Sequence, residues 1–135
     1  MDRVRDAMVP DPPQLEGRAT AQEAARAFDR PEVRALFVCA DGRLLGLVTR
    51  KTLVREVVAA GRDPRTTELG SIVEEPEHTL DFDVRLDQAF RFLEEHDLER
   101  VPVMESGRLV GVLSRAVLQR RLAEDEPPSD ADRQS

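Results

Sequence analysis

The chain repeats itself. A shift of 65 positions lays Gly42-Arg43-Leu44-Leu45-Gly46-Leu47-Val48-Thr49-Arg50 on Gly107-Arg108-Leu109-Val110-Gly111-Val112-Leu113-Ser114-Arg115. The match runs without a gap from Val4/Leu69 to Val57/Leu122, and eleven of its 54 paired positions are identical. Leu15/Leu80, Ala24/Ala89, Val38/Val103 and Leu53/Leu118 are among them. Self-similarity at a fixed period marks copies of one structural unit that complete each other's core. The chain therefore divides into a first repeat with its linker (1–68), a second repeat (69–123) and an acidic tail (124–135). The tail carries no apolar anchor and is expected to be disordered.

Both copies parse alike. Ala21, Ala24, Ala25 and Phe28 recur at helical spacing, as do Leu86, Ala89, Phe90 and Leu93. Thr20 with Glu23 fits a capping box, whereas the second copy has Arg85 at the cap position. An apolar strand follows, Ala35 to Cys39 or Val101 to Met104. A Gly-containing turn then leads to a return strand, Leu44–Val48 or Leu109–Leu113. Thr49 and Ser114 stand where helix N-caps belong, and the closing helices run over 50–60 and 115–123. The expected fold is α+β, with two pseudo-twofold helix–strand–strand–helix repeats packed sheet to sheet. A ligand cleft is expected at the repeat boundary. Pro102 stands where the first copy has Phe37 and predicts a strand edge.

Composition narrows the function. The net charge is −7, and aromatics are 4%, with no Trp or Tyr. Phosphate-backbone binding relies on clustered cations, and single-strand binding on stacking rings, so nucleic acid is a poor partner for this chain. No apolar run is long enough for a membrane span and no signal core opens the chain, which predicts a cytoplasmic protein. The single cysteine, Cys39, reads as a small buried hydrophobe, and His78 and His96 have no partners at metal spacing. No nucleophile–base arrangement or phosphate-cradling glycine loop is present, which argues against an enzyme.

These features resemble the cystathionine-β-synthase (CBS) domain, and the tandem resembles a Bateman module. The likeness rests on Val4-Arg5-Asp6-Ala7-Met8, on Arg100-Val101-Pro102-Val103, and on the paired Gly42–Arg50 and Gly107–Arg115 segments. It covers residues 4–125. The resemblance implies a regulatory module rather than a catalyst, dimeric, and binding an adenosine-containing ligand (AMP, ADP, ATP or S-adenosylmethionine) between its repeats. With nothing else attached, the regulated partner would be a separate protein.

The family's ligand motif is similar to Gly-x-x-Thr/Ser-x-x-Asp, its hydroxyl contacting phosphate and its Asp holding ribose. Here Thr49 and Ser114 fill the hydroxyl position, but Thr52 and Val117 stand where the Asp should be. Thr49, Thr52 and Ser114 are therefore the motif candidates, and Arg50 and Arg115 are the adjoining phosphate candidates because a guanidinium forks onto phosphate oxygens. By resemblance, Leu15 with Val38, and Leu80 with Val103, would wall the adenine pockets. Of the two sites, the one at Thr49 and Thr52 is favoured.

Two functions stay open: a nucleotide sensor, and a ligand-free dimerising scaffold in which the lost Asp residues mark lost binding. Leu53, Val54, Val57 and Val58 give the first closing helix a broad apolar face, which supports a homodimer in either case.

Overall fold

The structure, a computed structural model, describes residues 2–125. In chain order it contains α1 (Val4–Ala7), β1 (Val9–Pro10), β2 (Gln14–Glu16), α2 (Ala21–Ala27), β3 (Ala35–Ala40), β4 (Arg43–Thr49) and α3 (Arg50–Leu53). A π-helical turn, Val54–Val58, continues α3, and a short 3-10 turn spans Leu69–Ser71. The second half adds β5 (Leu80–Asp81), α4 (Leu86–Glu95), β6 (Arg100–Glu105), β7 (Arg108–Ser114) and α5 (Arg115–Asp125). Helix α5 thus extends two residues past Ala123, and the remainder of the proposed tail lies outside the described residues.

Local chemistry explains these elements. Thr20 Oγ1 accepts from the Glu23 amide at 3.2 Å while Glu23 Oε2 accepts from the Thr20 amide at 3.3 Å, which completes the capping box of α2. The N-cap of α4 is Arg85, which makes no such bond. Both hairpins turn on a polar residue and a glycine in the left-handed region: Asp41-Gly42 at φ 53° and 84°, Ser106-Gly107 at 52° and 81°.

The chain packs as two units. The first holds residues 11–78 and 105–109, the second 2–10, 79–104 and 110–125. Ala21, Ala24, Phe28, Leu36, Val38, Val48 and Leu69 form the core of the first, and Val4, Leu86, Leu93, Val101, Val103 and Leu113 that of the second. In the first unit β2 pairs parallel with β3, and β3 pairs antiparallel with β4. In the second, β5 pairs parallel with β6.

These units are not the sequence repeats. Residues 2–10, placed with the first repeat on sequence grounds, pack in the unit of the second. Val4 N–H donates to Val84 O at 2.8 Å and Arg5 N–H to Phe82 O at 2.9 Å. Sixty-five residues on, Leu69 N–H donates to Ala19 O and Gly70 N–H to Gly17 O, each at 2.8 Å. The same exchange of opening segments therefore occurs twice. It continues as Val9 pairs with Val112 and Glu74 with Leu47.

Pro102 lies where the pairing of β6 with β5 stops, so on that side its backbone faces no strand. It is buried within β6, between the neighbours β5 and β7. In the first unit Gln14, Leu15 and Glu16 pair with Phe37, Val38 and Cys39, but β5 pairs only Leu80 with Val103 and Asp81 with Met104. The missing pair is the one that would use Pro102, which has no N–H to give.

Gly46 and Gly111 allow the opening segments to approach. A Cβ at Gly46 would lie 2.5 Å from Glu74 O, and one at Gly111 would lie 2.8 Å from Val9 O. Backbone cannot move aside as a flexible side chain can. Gly46→Val is therefore expected to destabilise the protein by about 2 kcal/mol, seen as a lowered urea midpoint in equilibrium unfolding.

Candidate functional site

The strongest candidate lies at the junction of β4 and α3, within the first unit. Thr49 keeps extended backbone (φ −119°, ψ 174°) and the helix starts at the next residue. Thr49 Oγ1 accepts from the Thr52 amide at 3.3 Å, and Thr52 Oγ1 accepts from the Thr49 amide at 3.0 Å. Two threonines thus close a reciprocal cap usually closed by a carboxylate or carboxamide. Their hydroxyl oxygens are 3.0 Å apart.

Thr52 is fully buried, and its hydroxyl donates to Glu74 Oε1 at 3.3 Å. A hydroxyl has one proton. Since Thr52 spends its proton on Glu74, Thr49 must be the donor in the Thr49–Thr52 bond. The proton order is therefore Thr49 to Thr52 to carboxylate. In this arrangement both hydroxyl protons are used within the cluster.

Glu74 is held by its backbone. Leu47 N–H donates to Glu74 O at 2.8 Å, and Glu74 N–H donates to Leu47 O at 2.9 Å. The carboxylate also receives Arg55 Nη2, while Arg55 Nε donates to Glu56 Oε1 at 3.1 Å. Glu74 and Glu56 together hold the Arg55 guanidinium above its ordinary pKa through these hydrogen bonds. Arg55 sits in the π-helical turn, whose wider ring shows in Ala59 N–H bonding Val54 O, while Arg62 N–H bonding Val57 O across the left-handed Gly61 closes the helix end. Such turns interrupt helices frequently at functional sites.

The other candidates separate from this cluster. Arg50 turns away: its Nη2 donates to Phe28 O at 2.6 Å and to Arg30 O at 2.9 Å, and the guanidinium lies 5.1 Å from the Phe28 ring centre. It satisfies carbonyls at the C-terminal end of α2 and is not presented as a phosphate ligand. Arg115 is only 22% exposed and pairs with Asp97 at 3.3 Å and Glu99 at 3.6 Å. Ser114 Oγ accepts from the Val117 amide at 3.1 Å, a plain helix cap.

Val38 and Val103 are fully buried core residues and wall no open pocket. Leu15 packs against the first core and Leu80 is buried in the second. Cys39 is also buried, and burial, then the charge of Glu16, pushes its thiol up, so it stays protonated.

A separate hollow of about 410 Å³ in the first unit is lined by Glu16, Gly17, Arg18, Asp41, Leu45 and Glu68, among others. Its three carboxylates suit an anion poorly, and none of the Thr49, Thr52 or Glu74 cluster lines it.

Sequence reading did not find Glu74, but a signal existed. In the 65-residue register Glu74 faces Val9, an acid opposite an aliphatic.

Comparison with known proteins agrees with the repeat. The CBS domain family model matches twice, at residues 4–59 and 69–124. Hypoxic response protein 1 of Mycobacterium tuberculosis is 33% identical over 106 residues, covering 78% of this chain and 74% of that protein. The CBS domain-containing protein YhcV of Bacillus subtilis is 25% identical over 114 residues, covering 84% and 81%. A crystal structure of Hypoxic Response Protein I with two coordinated zinc ions superposes with a TM-score of 0.76 at 30% identity, over 90% of this chain and 99% of that one. CBSX2 in complex with AMP superposes at 0.71 and 21% identity, over 90% and 96%. Among the described residues here, no three His, Cys, Asp or Glu side chains converge as a metal site. No helix among them is long and apolar enough to cross a membrane.

The hydrogen bonds of Arg50 give a direct prediction. Arg50→Ala leaves two carbonyls at the end of α2 without their charged donor, so it should lower stability by about 1–2 kcal/mol in thermal or urea unfolding. Arg50→Lys should recover only part, because one ammonium cannot reproduce the stacked guanidinium.

Proposed function

Because the chain belongs to the CBS-domain family, we propose that it is a regulatory module that binds an adenosine-containing nucleotide and passes the bound state to a partner protein. The observation that carries this reading is the cluster at the start of α3. A half-buried carboxylate, hydroxyl lone pairs and a guanidinium meet there on backbone fixed by pairing with β4. Mixed polar groups on rigid elements can hold a ligand with both hydroxyl and anionic parts. The AMP-bound CBSX2 structure, which shares the fold, supports adenine nucleotides as the first class to test. A ligand would act by binding one arrangement of the module better than another.

A titration with AMP, ADP, ATP and S-adenosylmethionine tests the reading. A ligand at about 100 times its Kd should stabilise the fold by about 2.7 kcal/mol, a shift of several degrees in thermal unfolding. No shift with any of the four at millimolar concentration, in folded protein, would contradict it and leave the ligand-free scaffold.

A homodimer fits both readings. Val54 and Val58 are 59% and 73% exposed on the helix closing the first unit. Beside them an apolar hollow is lined by Ala21, Ala25, Leu53, Val57 and Val58. Such a patch is better covered by a second copy than left in water. Light scattering at micromolar concentration should give twice the chain mass, and Val58→Asp should reduce it to the monomer.

A further inference from the structure

We propose that the hollow beside the Asp41-Gly42 turn of the first unit binds a guanidinium carried on an aliphatic stem, as in free arginine or an arginine side chain. The hollow has a volume of about 410 Å³, the size of a small-molecule site. The proposal is independent of the nucleotide reading, because Thr49, Thr52 and Glu74 do not line this hollow.

The second repeat shows what the same place accommodates. Gly70 N–H donates to Gly17 O at 2.8 Å, and the residues in register with them make the same bond, Arg5 N–H to Phe82 O at 2.9 Å. The backbones match and the side chains do not. In the second unit the Arg5 guanidinium lies 5.6 Å from the Phe82 ring centre, and its Nη1 meets Asp83 Oδ1 at 3.2 Å. The chain's own arginine is seated there on an aromatic ring and against a carboxylate. In the first unit both positions are glycine, and a hollow stands in their place. Neither glycine has a positive φ, so neither is there for its backbone conformation. A Cβ at Gly17 would crowd the end of the Leu45 side chain, at 2.9 Å, and not a strand.

The charges change together with the glycines. Where the second repeat has Arg3, Arg5 and Ser106, the first has Glu68, Gly70 and Asp41, while Glu16 and Asp81 are acids in both. The first unit has therefore lost the internal cation and gained two carboxylates around the space it leaves. Among the described residues Glu16, Asp41 and Glu68 form no ion pair. No three such side chains converge tightly enough to hold a metal ion, so the occupant must spread its donors. Ionised carboxylates only accept hydrogen bonds, and a planar guanidinium brings five N–H donors in a fixed fork. Leu45, 38% exposed, lies on the wall of the hollow and offers the apolar surface against which an aliphatic stem packs. Arg18 lines the hollow in the place of Asp83 and is positioned to meet the carboxylate of a free amino acid.

Calorimetric titration of the full chain with L-arginine and with N-acetyl-L-arginine amide tests the proposal, with L-citrulline as the uncharged control. The wild type should bind at least one arginine compound, and citrulline at least about tenfold more weakly, as expected when charge-assisted hydrogen bonds are lost. Binding of the amide means that the side chain alone is read, so an arginine of another protein can fill the hollow. Binding of L-arginine alone means that the free amino acid is the ligand. Gly70→Arg supplies the arginine that the second repeat carries and should abolish binding. Glu16→Gln together with Glu68→Gln should weaken it by about tenfold or more, and this variant decides the matter if Gly70→Arg is misfolded by circular dichroism. No binding of either arginine compound by the folded wild type at millimolar concentration overturns the proposal. So does an affinity that citrulline equals, or one that the folded variants keep.

Discussion

Backbone groups ahead of α2 and ahead of α4 are each bonded by a segment from the other half of the sequence. Val4 and Arg5 bond the backbone ahead of α4, and Leu69 and Gly70 bond the backbone ahead of α2. The reach of these bonds, from residue 4 to 84 and from 69 to 19, is set by the 65-residue period. Each repeat therefore completes a unit only by lending its opening segment away. Leu69 and Val4 are fully buried where they land, so the exchange also closes each apolar core. Neither repeat alone contains all of its own core.

The candidate site depends on the same exchange. Glu74 lies just past the lent segment, and its two backbone bonds to Leu47 fix it beside Thr52. Gly46 lets the segment come that close. The polar cluster is thus assembled from parts far apart in sequence: a hairpin strand, the start of a helix and the linker between repeats. The second unit has the same scaffold with aliphatic side chains. The two junctions share their strand-to-helix frame and differ in their side chains and in the π-helical turn that only the first carries.

Much of this was legible in the sequence, and what was not has physical reasons. The repeat, the hairpins, the Thr20–Glu23 box and the caps at Thr49 and Ser114 depend on short-range spacing, and they appear as read. The family likeness is matched over both repeats. The destination of the opening segments was not legible, because their apolar pattern fits either core equally well. The contacts of Arg50 are not legible for a similar reason. It neighbours Thr49 in sequence, but its long side chain reaches back to Phe28 and Arg30, a tertiary contact that spacing does not encode. Val38 and Val103, expected as pocket walls, are sealed in the cores. The acid missing from position 52 directed attention to what was lost, and Glu74 lies 22 residues further along.

On the proposed function, the junction of the first unit is the ligand site and that of the second is a helix cap alone. Backbone amide NMR during an AMP titration tests it at the residues themselves. Saturable shifts at Thr49, Thr52, Arg55 and Glu74, with Val9, Ser114 and Val117 unmoved, are the predicted result. Shifts confined to Val9, Ser114 and Val117, or equal at both junctions, would contradict it.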